Sequence, residues 1–183
     1  AEVVNSPIYI VHISTGRGAE AVARARGRGQ TAYGETCPQY LLLTDEGYSL
    51  PDFEGSKFVC SPPLRKAEDN QALLKYLSAG VLQTIGTDHC PFFFKGQKEV
   101  GRGDFTRIPG GMPGVEGRLA LLYTYGVRAG WLSLSQWVAA CSTAPARLFG
   151  LYPRKGSLMP GADADVVLFD PDKRVTLSVD MLH

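Results

Sequence analysis

Histidine is scarce in this chain of 183 residues: there are three, His12, His89 and His183, and no His-x-His pair among them. Cysteine is sparse too. Cys37, Cys60, Cys90 and Cys141 are far apart and form no CxxC pair, which argues against a dense disulfide framework and for a reducing, cytoplasmic setting. Charge of either sign is in small excess only. Lys and Arg number 19 against 18 Asp and Glu, for a net +1, so nothing draws the chain to nucleic acid or to an anionic membrane. Long apolar runs and a signal peptide are absent. What remains is ordinary: 44% hydrophobic and 20% charged residues, the composition of a soluble globular protein with a core of useful size.

Against that background one stretch stands out, Gln83 to Phe92, reading Gln-Thr-Ile-Gly-Thr-Asp-His-Cys-Pro-Phe. Val81 to Thr87 is apolar and β-branched enough for a buried strand, and Pro91 stops it because proline cannot donate to a sheet ladder. Asp88 and His89 thus sit at the carboxyl end of a strand, where catalytic residues of α/β barrels collect. Alone, the pair reads equally well as an Asp capping the next element beside a surface His.

The rest of the chain supplies context. Pro7 to Ile13 is a continuous β-branched and aromatic run, expected as a strand buried on both faces, with His12 near its carboxyl end. By itself His12 reads best as a core histidine bonded to backbone. Ser14, Thr15 and Gly16 form a turn, and a helix is expected from Gly18 to Arg28. A second strand follows over Gln30 to Cys37, closed by Pro38. Phe58-Val59-Cys60 leads into the stiff segment Ser61-Pro62-Pro63-Leu64-Arg65, which can hold Ser61 at a site or be a plain surface loop. Lys66 to Ala79 has a helical stripe of Leu73, Leu74 and Leu77, ended by Gly80. Strands alternating with helices predict a parallel sheet. Phe92 to Gly117 is a long loop centred on Ile108-Pro109-Gly110-Gly111-Met112-Pro113-Gly114, the kind that is functional or disordered. Helices are expected at Val115–Ala129, Leu134–Cys141 and Ala144–Phe149, broken around Ser142-Thr143. Near Leu151 the character changes: Asp163 to Asp170 and Arg174 to Val179 predict an antiparallel β appendage.

His12 and Asp88 both end predicted parallel strands, so both should face one mouth. An imidazole and a carboxylate suit a divalent ion such as zinc, although two ligands are too few for a closed site. An Asp beside a metal-activated water can also act as general base.

With these segments in view the chain closely resembles the carboxyl-terminal part of the dihydropyrimidinase and D-hydantoinase family of cyclic amidohydrolases. The resemblance rests on Val11-His12-Ile13-Ser14, Gly34 to Leu41, Cys60 to Arg65, Gly86 to Phe92, Ile108 to Arg118 and Gly156 to Asp170, in family order. It implies a (β/α)8 TIM-type barrel, of which residues 1–150 are the carboxyl-terminal strands and helices, and a small β-sandwich domain to which residues 151–183 contribute. It implies two divalent metal ions, most often zinc, bridged by a carboxylated lysine that lies outside this chain. His12 then matches a metal ligand, and Asp88 a metal ligand that also shuttles the catalytic proton. Ser61 and Gly110 match positions that hold the cyclic substrate through their backbones, Gly110 standing where many relatives carry Asn. The implied activity is hydrolytic opening of a cyclic ureide or imide, hydantoin or dihydropyrimidine, to an N-carbamoyl amino acid, in a homotetramer or dimer.

Two features qualify the match. The family's His-x-His, its bridging lysine and a further histidine ligand have no counterpart here, so the chain is expected to be a piece of a polypeptide more than twice as long and inactive alone. Gln39 stands where allantoinases tend to have His, which favours hydantoinases over the allantoinase and dihydroorotase alternatives. Retention of His12 and Asp88 argues against the other alternative, a metal-free dihydropyrimidinase-like scaffold protein.

Overall fold

The structure is a computed structural model, and it describes residues 1–181. Strands β1 (Ile8–Ile10), β2 (Ala32–Thr36) and β3 (Thr84–Ile85) form one sheet in the order β1-β2-β3, and both pairings are parallel. Helix α1 (Gly16–Gly27) connects β1 to β2. The short helix α2 (Pro38–Leu42) and then α3 (Ala67–Ser78) lie between β2 and β3. After the loop come α4 (Arg118–Leu122), α5 (Leu134–Val138) and α6 (Ala144–Leu148). The parallel order expected from alternating strands and helices is therefore present.

Local chemistry explains the boundaries. Thr15 caps α1 by accepting from the Gly18 amide at 3.0 Å, and the Gly16 amide donates to Asp69 Oδ1 of α3 at 2.8 Å. A Cβ at Gly16 would lie 2.6 Å from the Ala72 Cβ, so glycine lets α1 approach α3 closely. Asn70, buried in α3, donates to the carbonyls of Tyr40 at 2.6 Å and Leu43 at 2.9 Å, and so satisfies the end of α2. Leu73, Leu82, Ile85, Tyr40 and Leu122 form the fully buried centre of the core.

Several expected elements differ. The strand expected over Val81–Thr87 has a two-residue ladder, because the Val81 and Leu82 amides donate to Tyr76 O, at 2.9 and 3.2 Å, instead of to a neighbouring strand. The expected break around Ser142-Thr143 does not occur. The chain passes from α5 through a π turn over Ala139–Thr143 directly into α6. Pro145 near the start of α6 lacks an amide donor, and the wider turn accommodates it without ending the helix.

Beyond Leu151 the expected strands Asp163–Asp170 and Arg174–Val179 have no ladder among the described residues. The turn between them does form, with Asp170 Oδ1 accepting from the amides of Asp172 and Lys173 at 2.9 and 3.2 Å. An extended segment becomes a strand only when a neighbour takes its backbone bonds in register, and among the described residues only the Asp163 amide finds such a partner, Arg154 O at 3.0 Å. Leu168 is 94% exposed. The segment docks instead through Phe169, whose ring lies 4.9 Å from Tyr123 and 5.0 Å from Trp137.

Candidate active site

His12 follows β1 and Asp88 follows β3, so the two flank the carboxyl end of the central strand β2. His12 Nε2 and Asp88 Oδ1 are 3.6 Å apart, with side chains 30% and 32% exposed. Both residues have left-handed backbones, φ 55° and 48°. That conformation costs a non-glycine residue about 1 to 2 kcal/mol, and strain of this kind gathers at functional sites.

The sheet holds both strand ends in place. The Ile13 amide donates to Glu35 O at 2.8 Å, and Thr36 Oγ1 donates to Ile13 O at 2.8 Å, which fixes the backbone after His12. The Gly86 amide donates to Thr36 O at 2.9 Å, and buried Gln39 donates through Nε2 to Thr87 O at 3.2 Å, which fixes the backbone before Asp88. Gln39, read from sequence as a mark of one subfamily, thus has a mechanical role. Arg118 from α4 adds a bond to Ile85 O at 2.8 Å.

Imidazole nitrogen and carboxylate oxygen, facing each other and half open to solvent, fit a divalent ion. Among the described residues no third His, Cys, Asp or Glu joins them. The pair therefore supplies part of a coordination sphere. His89 turns away from it: its Nδ1 accepts from the amides of Gly114 and Val115 at 3.1 and 3.3 Å, and it bridges to Met112. It anchors the glycine-rich loop over the end of β3.

Ser61 and Gly110 sit on the rim. Both are exposed, and among the described residues neither makes a backbone hydrogen bond. A Cβ at Gly110 would meet only ordinary contacts with Cys60, from 3.9 Å, so a larger side chain could start there without a clash. Around them the chain is tied down. Tyr40 Oη donates to Pro62 O at 3.0 Å, Tyr48 Oη accepts from the Leu64 amide at 2.7 Å, and the Gly111 amide donates to Val59 O at 2.9 Å.

Two residues of this region went unread in the sequence. Glu35 accepts from Tyr9 Oη at 2.7 Å, the same hydroxyl lies 2.6 Å from Thr84 Oγ1, and a Cβ on Gly86 would come within 2.7 Å of the Glu35 carboxylate. Burial pushes the Tyr9 hydroxyl up, with Glu35 adding to the effect. Lys98, in the long loop, is 2% exposed, and its place in a polar run gave no signal of burial. Burial likewise raises the Cys37 thiol, helped by Glu35 and Asp88. A cavity of about 820 Å³ between α5, α6 and the tail has neither His12 nor Asp88 in its lining.

Parallel strands deliver a histidine and an aspartate to one opening, the end at which α/β barrels collect their functional residues. A model of the amidohydrolase family matches residues 19–181, and the chain belongs to that family. Membership implies a divalent metal cofactor and a TIM-barrel-type fold. The chain is 49% identical to the D-hydantoinase of Streptomyces coelicolor over 183 residues, which is 100% of this chain and 39% of that protein. It is 48% identical over 182 residues to that of Geobacillus stearothermophilus. The dihydropyrimidinase structure from Brevibacillus agri superposes with a TM-score of 0.97 at 49% identity, covering 98% of this chain and 39% of that one. The L-hydantoinase of Arthrobacter aurescens superposes at 0.79 with 34% identity, over 89% of this chain and 35% of that one. The chain thus spans about two fifths of the length of the curated relatives it matches, 39% for the first of them.

Proposed function

We propose that the chain is the carboxyl-terminal portion of a metal-dependent hydrolase that opens hydantoin or dihydropyrimidine rings to N-carbamoyl amino acids. The observation that carries this reading is the His12–Asp88 pair, 3.6 Å apart on strained strand ends, in a chain so similar to D-hydantoinases. Residues 1–150 would complete a closed (β/α)8 barrel with strands from elsewhere in the polypeptide, and residues 151–183 would join a small β-sandwich. The whole protein would be a cytoplasmic homo-oligomer, tetramer or dimer, without nucleic acid or membrane partners. Among the described residues no helix is long and apolar enough to cross a membrane.

His12 and Asp88 would each be a ligand in a site for two divalent ions, zinc by donor type, completed by a carboxylated lysine and further ligands outside this chain. When bound, such ions lower the pKa of water and polarise a carbonyl. The Asp88 carboxylate takes the proton released as water attacks the ring carbonyl. It returns that proton to the ring nitrogen as the C–N bond breaks, so one group serves as base and then acid. The backbones of Ser61 and Gly110 hold the ring by its polar edge.

The test is turnover by the intact polypeptide of hydantoin, dihydrouracil, allantoin and dihydroorotate, with metal analysis alongside. Opening of either of the first two by a metal-bearing protein is expected. Turnover of the last two alone would move the assignment to an allantoinase or dihydroorotase. A metal-free, inactive protein would be a scaffold member of the family.

A further inference from the structure

The ammonium of Lys98 has an unusual environment. It is 2% exposed and has no carboxylate partner among the described residues. Its Nζ donates to three backbone carbonyls, Val59 at 2.9 Å, Pro109 at 2.7 Å and Gly111 at 3.0 Å. An ammonium has three donors, so all are used. The Phe92 ring adds a cation–π contact at 5.5 Å. Burial depresses the Lys98 pKa, a cost that a surface lysine would not incur.

The choice of carbonyls is informative. Pro109 and Gly111 flank Gly110, and Val59 lies just before Cys60 and Ser61. The clamp therefore fastens the residues around the two rim positions, whereas Ser61 and Gly110 themselves are exposed and make no backbone hydrogen bond among the described residues. Gly111 sharpens this point. Its φ is 151°, and a Cβ there would lie 2.4 Å from Cys90 O, so the loop passes too close to the end of β3 for any side chain.

We propose that Lys98 is a positioning residue for substrate: its buried ammonium locks together the two loop segments that present Ser61 and Gly110 to the ring. The proposal rests on the reading that those two backbones hold substrate. Lys98 touches neither His12 nor Asp88, so its loss should weaken substrate binding without removing metal.

The experiment uses the intact polypeptide carrying Lys98→Met, which keeps the stem and deletes the three bonds. Metal content, KM and kcat for hydantoin and dihydrouracil, and hydrogen–deuterium exchange of segments 59–64 and 108–112 are measured. The expected result is unchanged metal content, faster exchange in both segments, a KM higher by about tenfold, and a kcat within about threefold of the parent, as for lost uniform binding. A merely structural role would lower metal content and kcat together and leave KM alone, and that outcome overturns the proposal. Unchanged exchange in a folded variant overturns the clamp, and faster exchange with unchanged KM overturns its link to substrate. If Lys98→Met does not fold, Lys98→Gln is read by the same criteria. If the parent protein opens neither ring, the functional reading fails, and exchange alone still decides whether the clamp exists.

Discussion

The two halves of the site are built in different ways. The His12–Asp88 corner belongs to the sheet: each residue ends an outer strand, and β2 between them fixes both backbones through Glu35 O and Thr36. The rim that carries Ser61 and Gly110 belongs to loops and is held by side chains that reach carbonyls, Lys98 and Tyr40 above all. Regular structure places the groups that must bear charge, and its rigidity sustains their strained φ values. Loops place the rim groups that, on the proposed function, would meet the ring, and there a few tethers suffice. The contrast predicts that damage to the corner abolishes chemistry, whereas damage to the rim alters affinity.

The largest effect should come from Asp88→Ala in the intact polypeptide. On the proposed function it removes a ligand that also moves the proton, so kcat should fall by about 10³-fold or more, with a parallel fall in bound metal. His12→Ala should also release metal. If either variant kept full metal and near-parent turnover, the corner would not be the centre of the reaction. Residues 1–183 expressed alone should open no ring, because among the described residues the corner offers only two ligands. Turnover by that piece would show that the ligand assignment is wrong.

Gly111→Ala should be next. It places a methyl group 2.4 Å from Cys90 O at φ 151°, and thermal unfolding should report a loss of about 1 to 3 kcal/mol, together with a raised KM. An unaffected midpoint would mean that the loop can shift off the end of β3 freely.

His89→Ala should be milder. It removes two backbone contacts of 3.1 and 3.3 Å, worth about 1 kcal/mol in sum, so KM should rise by a few fold while metal stays bound. Metal loss as complete as in Asp88→Ala would place His89 in the corner instead of the rim.

The smallest effect concerns thiols. Cys90 is exposed between corner and rim, whereas Cys37 and Cys60 are buried. Burial pushes the Cys141 thiol up to about 11 and raises those of Cys37 and Cys60. Alkylation near neutral pH should therefore modify Cys90 first and the other three slowly, since the thiolate is the reacting form. Mass mapping showing Cys37 or Cys60 ahead of Cys90 would mean that the site opens more than this packing allows.

The sequence by itself determined the parallel order of the sheet, helices α1 and α3, and the convergence of His12 and Asp88 on one mouth. Those follow from hydrophobic period and from the punctuation by Gly80, Pro38 and Pro91, which act locally. Only the tertiary structure decided the rest. Whether Val81 pairs as a strand depended on Tyr76 O capturing its amide. Whether residues 163–170 pair at all depended on a neighbour that the local pattern cannot supply. Lys98 was invisible for the same reason. Beside Gln97 and Glu99 it reads as a solvated charge, and only the meeting of three carbonyls from distant segments makes its burial affordable, because a buried cation persists only where its donors are all taken.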